Sequence, residues 1–287
     1  MFRPLALGLG RLLALMLAAS FIGALQIRAA PGFSSDAQEL NSGLSSESIQ
    51  ALRQSHLADS NIPRFYLHYL GSLVRGDLGI SQSLNQPVRQ LLRDRLPVTA
   101  RSLGLVLLIA WILGLTMATV AETLRSRFLT LMGDVLSGAF ISTPAAALAL
   151  VFVLLGLPPF AAAALLVFPK IYRYSSNLLR DGYQQPHVLM ARARGAGRWR
   201  ILFWYVAPSC FAQGMALLGV SISLAIGVLL PIEVICDVPG IGQLAWQAAQ
   251  SRDLALLVNL TMIVTFLTVS ATTLSDAVGR GFSRSAA

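Results

Sequence analysis

Four long stretches of the sequence contain no charged residue, and their lengths constrain the fold more than any other feature. They hold 20, 35, 32 and 22 residues and run over 102–121, 135–169, 201–232 and 254–275. A helix that crosses a bilayer needs about 20 mostly apolar residues. Charged residues make up only 12% of the 287-residue chain, against about 25% in soluble domains. The sequence therefore predicts an all-α, polytopic membrane protein and argues against a soluble enzyme or a disulfide-rich secreted domain.

The number of spans follows from how these runs are divided. The run of 35 residues is too long for one helix, and Pro158-Pro159 after Gly156 cannot lie inside one. We therefore predict two spans there, joined by a tight turn. The N-terminal stretch is apolar apart from Arg11 and adds another span. The prediction is six transmembrane helices in a single membrane domain over residues 1–287, at about 5–27, 102–121, 135–156, 160–179, 208–231 and 254–275.

The distribution of charge tests this topology. With six spans, the termini and the segments 122–134 and 170–207 share one face, which holds 13 of the 22 basic residues and four of the 13 acidic ones. The opposite face holds nine of each, so the whole net charge of +9 lies on one side. Cytoplasmic loops of membrane proteins carry the excess of Lys and Arg. This predicts cytoplasmic N- and C-termini, and contact of the basic face with anionic lipid rather than nucleic acid.

The N-terminus has a second interpretation. Arg3 and Arg11 precede a short apolar core, and the sequence Ala29-Ala30-Pro31 lies where a signal peptide could be cleaved. A retained first helix fits the charge parity and is the interpretation that we favour.

Residues 28–97 form the only long polar stretch. Helix starts are predicted at 46–52, where Ser46 would cap, and at 62–70, which would lie on the membrane surface. The segment 87–96 also reads as an amphipathic helix, and Pro97 is expected to break it before the second span.

The sequence lacks the residues that several kinds of functional site require. The single lysine, Lys170, follows Pro169, so the sequence contains no Gly-Lys-Ser/Thr phosphate-binding loop. The histidines are scattered and no cluster of metal ligands is evident, so we predict neither a catalytic nor a metal site. Cys210 and Cys236 are 26 residues apart on what reads as one helix, too far for a disulfide.

The most informative segment is the predicted cytoplasmic loop 180–207. Small residues and arginines alternate in it, which predicts a short helix that ends near Gly195, then a turn and a new helix. Another surface could approach such a turn closely. From composition alone, the segment could equally be a basic juxtamembrane loop with Trp199 and Trp204 in an aromatic belt.

The spacing in this loop resembles the EAA motif of ABC-importer permeases. Ala191, Gly195 and Pro208 coincide with the alanine, glycine and proline of that motif, whereas Leu189, Met190, Tyr205 and Ala207 depart from it. The sequence Ala191-Arg-Ala-Arg-Gly195 is similar to the Ala-Arg-Ala-Lys-Gly form of the dipeptide, oligopeptide and nickel permeases. Other segments resemble the same family in the same order: Arg75 to Ser81 with Pro87-Val88, Arg95 to Thr99, Pro231 to Gly242, and Arg252-Asp253. The connection between the third and fourth spans is several dozen residues shorter than is usual there.

The resemblance implies a type I ABC-importer permease fold in a bacterial inner membrane, and a transport subunit rather than an enzyme. It implies four kinds of partner: a second homologous permease, two cytoplasmic ATPases that bind ATP and magnesium, an extracytoplasmic substrate-binding protein, and membrane lipid. This chain itself would hold no cofactor. The ATPase-coupling residues would be Met190, Ala191, Arg192, Ala193, Arg194, Gly195, Ala196, Gly197 and Pro208. The outer-gate or binding-protein residues would be Gly76, Asp77, Gly79, Glu233, Asp237, Pro239, Gly240 and Gly242.

Two other functions remain open at this point. One is a channel or carrier that is not coupled to ATP, and the other is a degenerate permease paralogue with a scaffold role. Within the importer hypothesis, the resemblance does not choose between peptides and nickel as the substrate.

Overall fold

The computed structural model describes residues 77–81, 83–251 and 253–285, together with isolated helical positions at 15, 17–18, 21–22 and 71; side chains are described as far as Ser275, except at 254. Several predictions fall outside these residues: nearly all of the first span, the helix starts at 46–52 and 62–70, and Gly76.

Helices dominate the described part of the chain. A two-stranded antiparallel hairpin, β1 (Ile80–Ser81) and β2 (Gln86–Pro87), leads directly into the first long helix. The helices are α1 (Val88–Leu124), α2 (Arg127–Ser142), α3 (Ala145–Leu154), α4 (Pro159–Tyr183), α5 (Pro186–Ala193), α6 (Arg198–Ile201), α7 (Ala207–Ile235), α8 (Ile241–Gln250) and α9 (Leu254–Ser285). One turn of π-helix, Leu202–Val206, joins α6 to α7.

Within the described residues, three helical segments are long and apolar enough to cross a membrane: Val88–Leu124, Arg198–Ile235 and Ala255–Ser275. A fourth is reached if α2 and α3 count as one bent span. The chain is thus a multi-pass helical membrane protein, while the number six stays a prediction. The predicted span 160–179 lies inside α4, which also carries Lys170 and Arg173.

The third predicted span, 135–156, is not one straight helix. α2 and α3 meet at an angle of 95° across Thr143-Pro144. A proline disfavours the helical region for the residue before it, and Thr143 accordingly has extended dihedrals (φ −81°, ψ 125°). The predicted turn at Gly156 is confirmed, since α3 ends at Leu154 and Gly156 has φ +66°.

The predicted break at Pro97 is wrong. α1 continues through Pro97 without interruption from Val88 to Leu124. Proline removes one helical hydrogen bond, that to the carbonyl four residues earlier. That carbonyl belongs to Arg93, which is exposed, so the helix loses little by continuing. The apolar face predicted for this segment is present, because Val88, Leu91 and Leu92 are buried.

The chain divides into two compact units. The first, here called the hairpin unit, comprises residues up to Arg95 together with 244–266, and the second, the helical unit, comprises 96–243 with 267–287. The core of the helical unit is α4, which contacts α2, α3 and α7. Its buried residues include Ala162, Ala163, Ala164, Ile171 and Tyr172. A helix surrounded by other helices does not face lipid on all sides, which is consistent with the charges that α4 carries.

Polar contacts add to this packing in the helical unit. Trp111 on α1 donates from Nε1 to Ser221 Oγ on α7 at 2.9 Å. Arg180 on α4 pairs with Glu122 Oε1 on α1 at 3.0 Å, and Ser176 Oγ donates to the same oxygen at 2.7 Å. Cys210 and Cys236 are both free thiols, as predicted.

Two glycines of α2 provide a test of this packing. Gly133 lies directly against the Tyr172 ring, so that a methyl group there would overlap the ring, whereas a methyl at Gly138 would meet only the end of the Arg173 side chain at 3.9 Å. Alanine is favoured over glycine in a helix by about 1 kcal/mol, but overpacking costs about 1–3 kcal/mol. We predict that Gly133→Ala lowers the thermal stability of the detergent-solubilised protein and that Gly138→Ala does not. Equal melting temperatures for the two variants would contradict the α2–α4 contact.

Candidate functional site

The predicted coupling segment forms a short helix and a turn, as expected. α5 begins at Pro186, where a missing N–H costs nothing, and ends in a Schellman motif. The amide of Gly195 donates to the Arg192 carbonyl at 3.0 Å, and the amide of Ala196 donates to the Ala191 carbonyl at 3.2 Å. Gly195 has φ +80°, the left-handed conformation that this motif requires and glycine adopts freely. The new helix α6 then starts at Arg198.

The two faces of α5 differ in exposure. Val188 is fully buried and Ala191 is 5% exposed, while Leu189 and Met190 are 50% and 60% exposed. A Cβ built at Gly195 or Gly197 would meet nothing within 4 Å. The buried side chain of Ala191 therefore packs α5 against the rest of the chain. Arg192 and Ala196 are half-buried. Of the predicted coupling residues, those exposed to a partner are Met190, Ala193, Arg194, Gly195, Gly197 and Pro208.

The sequence analysis missed the π-helical turn that follows. Ala207 donates to the Leu202 carbonyl, five residues back rather than four. Pro208 has no N–H, so the helix cannot form its regular bond at this point. His187 Nε2 lies 3.3 Å from the Tyr205 carbonyl oxygen and links α5 to this turn. Isolated π turns are frequent at functional sites, and Pro208 was the only sign of this one in the sequence.

Two of the family-like segments meet in the helical unit, around Glu233. The Glu233 side chain is 1% exposed, and its Oε2 accepts the Gly242 amide at 2.7 Å. The Thr99 hydroxyl accepts the neighbouring Ile241 amide at 2.8 Å and lies beside the same carboxyl group. Gly240 is so close that a Cβ would overlap this carboxyl. Thr99 and the two ends of the segment 231–242 thus form one buried contact, here called the Glu233 cluster.

The rest of this loop faces outward. α7 ends in a second Schellman motif, in which Val238 donates to the Glu233 carbonyl at 2.9 Å and Asp237 takes the left-handed position with φ +52°. Asp237 accepts a hydrogen bond from Gln243 Nε2. Asp237 and Pro239 are exposed, while Glu233, Gly240 and Gly242 are buried. The predicted outer-gate residues therefore divide into a buried support and an exposed edge.

The remaining predicted residues lie in the hairpin unit. Asp77 Oδ1 accepts the Gly79 amide at 2.9 Å, and Gly79 has φ +75°. This turn leads into β1, and Ser81 Oγ donates to Asp253 Oδ2 at 2.6 Å. Two more segments singled out in the sequence, 75–81 and 252–253, are therefore joined in space. The sequence predicted no contact between Asp253 and Ser81, because nothing in a sequence shows that residues 172 positions apart share a hydrogen bond.

Residues 89–286 match the family described as binding-protein-dependent transport system inner membrane component. The chain belongs to this family. The match contains every segment from α1 to the end of α9, including the α5 turn and the Glu233 cluster. The resemblance to ABC-importer permeases is therefore confirmed, and the family consists of transport subunits rather than enzymes.

Individual relatives agree with this. A putative peptide permease of Brucella suis biovar 1 is 27% identical over 306 aligned positions, which cover 95% of this chain and 93% of the relative. The oligopeptide transport system permease protein OppB of Salmonella typhimurium is 26% identical over 230 positions, covering 73% of this chain and 75% of OppB. OppB of Escherichia coli matches to the same extent.

The Glu233 cluster yields a stability prediction. A methyl group at Gly242 would overlap the Leu230 carbonyl oxygen, a backbone atom that cannot move aside cheaply. We expect Gly242→Ala to destabilise the protein by about 1–3 kcal/mol, the usual cost of overpacking. Gly227→Ala, in α7 where a Cβ meets nothing within 4 Å, is the matched control. Thermal melts of the two variants in the same detergent measure the difference, and a Gly242→Ala variant as stable as the control would show that the loop does not pack as described.

Proposed function

We propose that this chain is a membrane-spanning subunit of an ATP-driven importer that takes up peptides delivered by an extracytoplasmic binding protein. It would work with a second permease and two cytoplasmic ATPases, which bind ATP and magnesium. The observation that carries the proposal is the α5 turn in a member of this transport family. The exposed small residues Ala193, Gly195 and Gly197 are here called the Gly195 ridge. The buried side chains of Val188 and Ala191 fix this ridge at the surface.

Peptides are the favoured substrate class because of the relatives. The Brucella and Salmonella proteins are named as peptide and oligopeptide permeases, and they cover most of this chain. Nickel is the other substrate left open by the sequence, and neither of these two relatives is named for it. The orientation that we propose places the α5 turn and both termini in the cytoplasm, since the basic residues concentrate there.

The geometry suggests how work could pass from the ATPases to the membrane helices. A force on the Gly195 ridge would reach α4 through the two-residue link Gln184-Gln185, and α7 through α6 and the π turn. The bond from His187 to the Tyr205 carbonyl ties the ridge to that turn. We infer that α4 and α7, which pack against each other, move together when the ATPases close.

Purification of the tagged chain from its native membrane in mild detergent tests the assembly. We expect a second permease and ATPases to co-elute, and proteoliposomes made from the recovered complex to import a peptide only with ATP and binding protein. Recovery of the chain alone, with peptide movement that is independent of ATP, would instead support a channel or carrier. Recovery of partners without any transport would favour a scaffold role.

Substitutions at Gly195 test the coupling role. Valine is disfavoured at φ +80° by its branched Cβ, whereas asparagine visits the left-handed region more readily than other residues. If the turn conformation matters most, Gly195→Val should lower ATP-driven uptake about tenfold, through a strain of about 1–2 kcal/mol, and Gly195→Asn should retain most of it. If close contact with an ATPase matters most, both variants lose uptake. Uptake unchanged in both, at equal levels in the membrane, would contradict a coupling role for this turn.

A further inference from the structure

The Asp253 carboxylate is enclosed in the hairpin unit by hydrogen-bond donors. Its side chain is 2% exposed. Oδ2 accepts three hydrogen bonds, from Ser81 Oγ at 2.6 Å, from the Ser83 amide at 3.1 Å and from Ser83 Oγ at 3.0 Å. Oδ1 accepts the Leu256 amide at 3.0 Å, as a helix-capping residue does at the start of α9. One carboxylate therefore binds both the β1–β2 turn and the first turn of α9.

A second contact holds the hairpin one turn further along α9. Asn259 is 2% exposed, and its Nδ2 donates to the Leu78 carbonyl at 3.0 Å and to the Ala255 carbonyl at 2.8 Å. The hairpin itself is compact, since the Val88 amide donates to the Gly79 carbonyl at 3.1 Å and the Leu84 amide donates to Ser81 Oγ at 3.2 Å. The β1–β2 hairpin is thus held together by its own hydrogen bonds, and it contacts the α9 region at two positions, Asp253 and Asn259.

This arrangement resists separation. Hydrogen bonds to an ionised group are the stronger ones, and a buried carboxylate that loses its donors keeps the full penalty of desolvation. Lifting the hairpin from α9 would break three of the four bonds to Asp253 at once. Because β2 continues directly into α1 at Val88, the same contact connects the N-terminal ends of two membrane-spanning helices.

We propose that Asp253 is a positioning residue that fixes the hairpin 77–87 to the start of α9, so that the hairpin and the first turns of α9 move as one body during transport. The hairpin is then a fixed support on the outer side rather than a flap that opens and closes. This inference rests on the proposed importer function, and it goes beyond it by assigning a task to Asp253, Ser81 and Ser83.

A reversible covalent link replaces the Asp253 contact in the test. The parent for this experiment carries Cys210→Ser and Cys236→Ala, and the variant adds Ser83→Cys and Asp253→Cys. A short, reducible bis-methanethiosulfonate joins the two new thiols after the protein has folded in the membrane. We expect uptake at least fivefold below that of the parent with free thiols, and recovery to at least half of the parent once the link is made. Reduction should reverse the recovery.

The single variants Ser83→Cys and Asp253→Cys, treated with the same reagent, are the matched controls and should not recover. If the link fails to restore uptake in the double variant, or lowers it further, the hairpin has to detach from α9 during transport and the proposal is overturned. A parent that shows no ATP-driven peptide uptake would contradict the proposed function instead, and the two failures are thereby distinguished.

Hydrogen exchange provides a readout that does not depend on transport. In the full chain with Asp253→Ala, we expect the amides of residues 83–86 and 88 to exchange at least tenfold faster than in the unsubstituted protein, while those of α4 stay unchanged. Asp253→Asn, which keeps one acceptor oxygen, should give an intermediate rate. Equal exchange in all three proteins would show that Asp253 does not position the hairpin.

Discussion

A backbone that leaves the helical conformation inside or near a membrane has to find new partners for its amide and carbonyl groups, because lipid offers none. The described part of this chain leaves the helix at several points, and at four of them specific residues complete hydrogen bonds. Gly195 and Asp237 close Schellman motifs after α5 and α7. Glu233 accepts an amide at the start of α8, and Asp253 accepts one at the start of α9. The segments singled out in the sequence are largely these interruptions.

The buried carboxyl groups of Glu233 and Asp253 stabilise their surroundings in the same way. Each lies at one end of a long helix and receives backbone amides from a glycine-rich or serine-rich turn. Both sites join segments that are more than 130 residues apart in the chain. Beside Glu233, the Thr99 hydroxyl accepts the Ile241 amide, and at the other site Ser81 donates to Asp253. The turns at these two places are therefore held by buried acceptors. For a transporter this has a clear use, since a force applied to one helix reaches the next only if the turn between them does not yield.

Two kinds of glycine have distinct physical roles that the sequence does not distinguish. Gly79 and Gly195 supply a positive φ and have open space around them. Gly133, Gly240 and Gly242 lie in close contact with other groups and have no room for a side chain. The first class was expected for Gly195, where a turn between two helices demanded it. The second class was not assigned, because close approach depends on which helices meet.

Much of this protein follows from the sequence alone. The lengths of the uncharged runs determined that it is a helical membrane protein, and the order of short motifs determined its family. The α5 helix and its turn were predicted because their signals are local. The tertiary structure decided the rest: the continuation of α1 through Pro97, the 95° bend at Thr143-Pro144, and the burial of Glu233 and Asp253 among distant donors. Hydropathy and turn residues act over a few positions, whereas the partner of a buried carboxylate is set by packing between segments that are far apart in the chain.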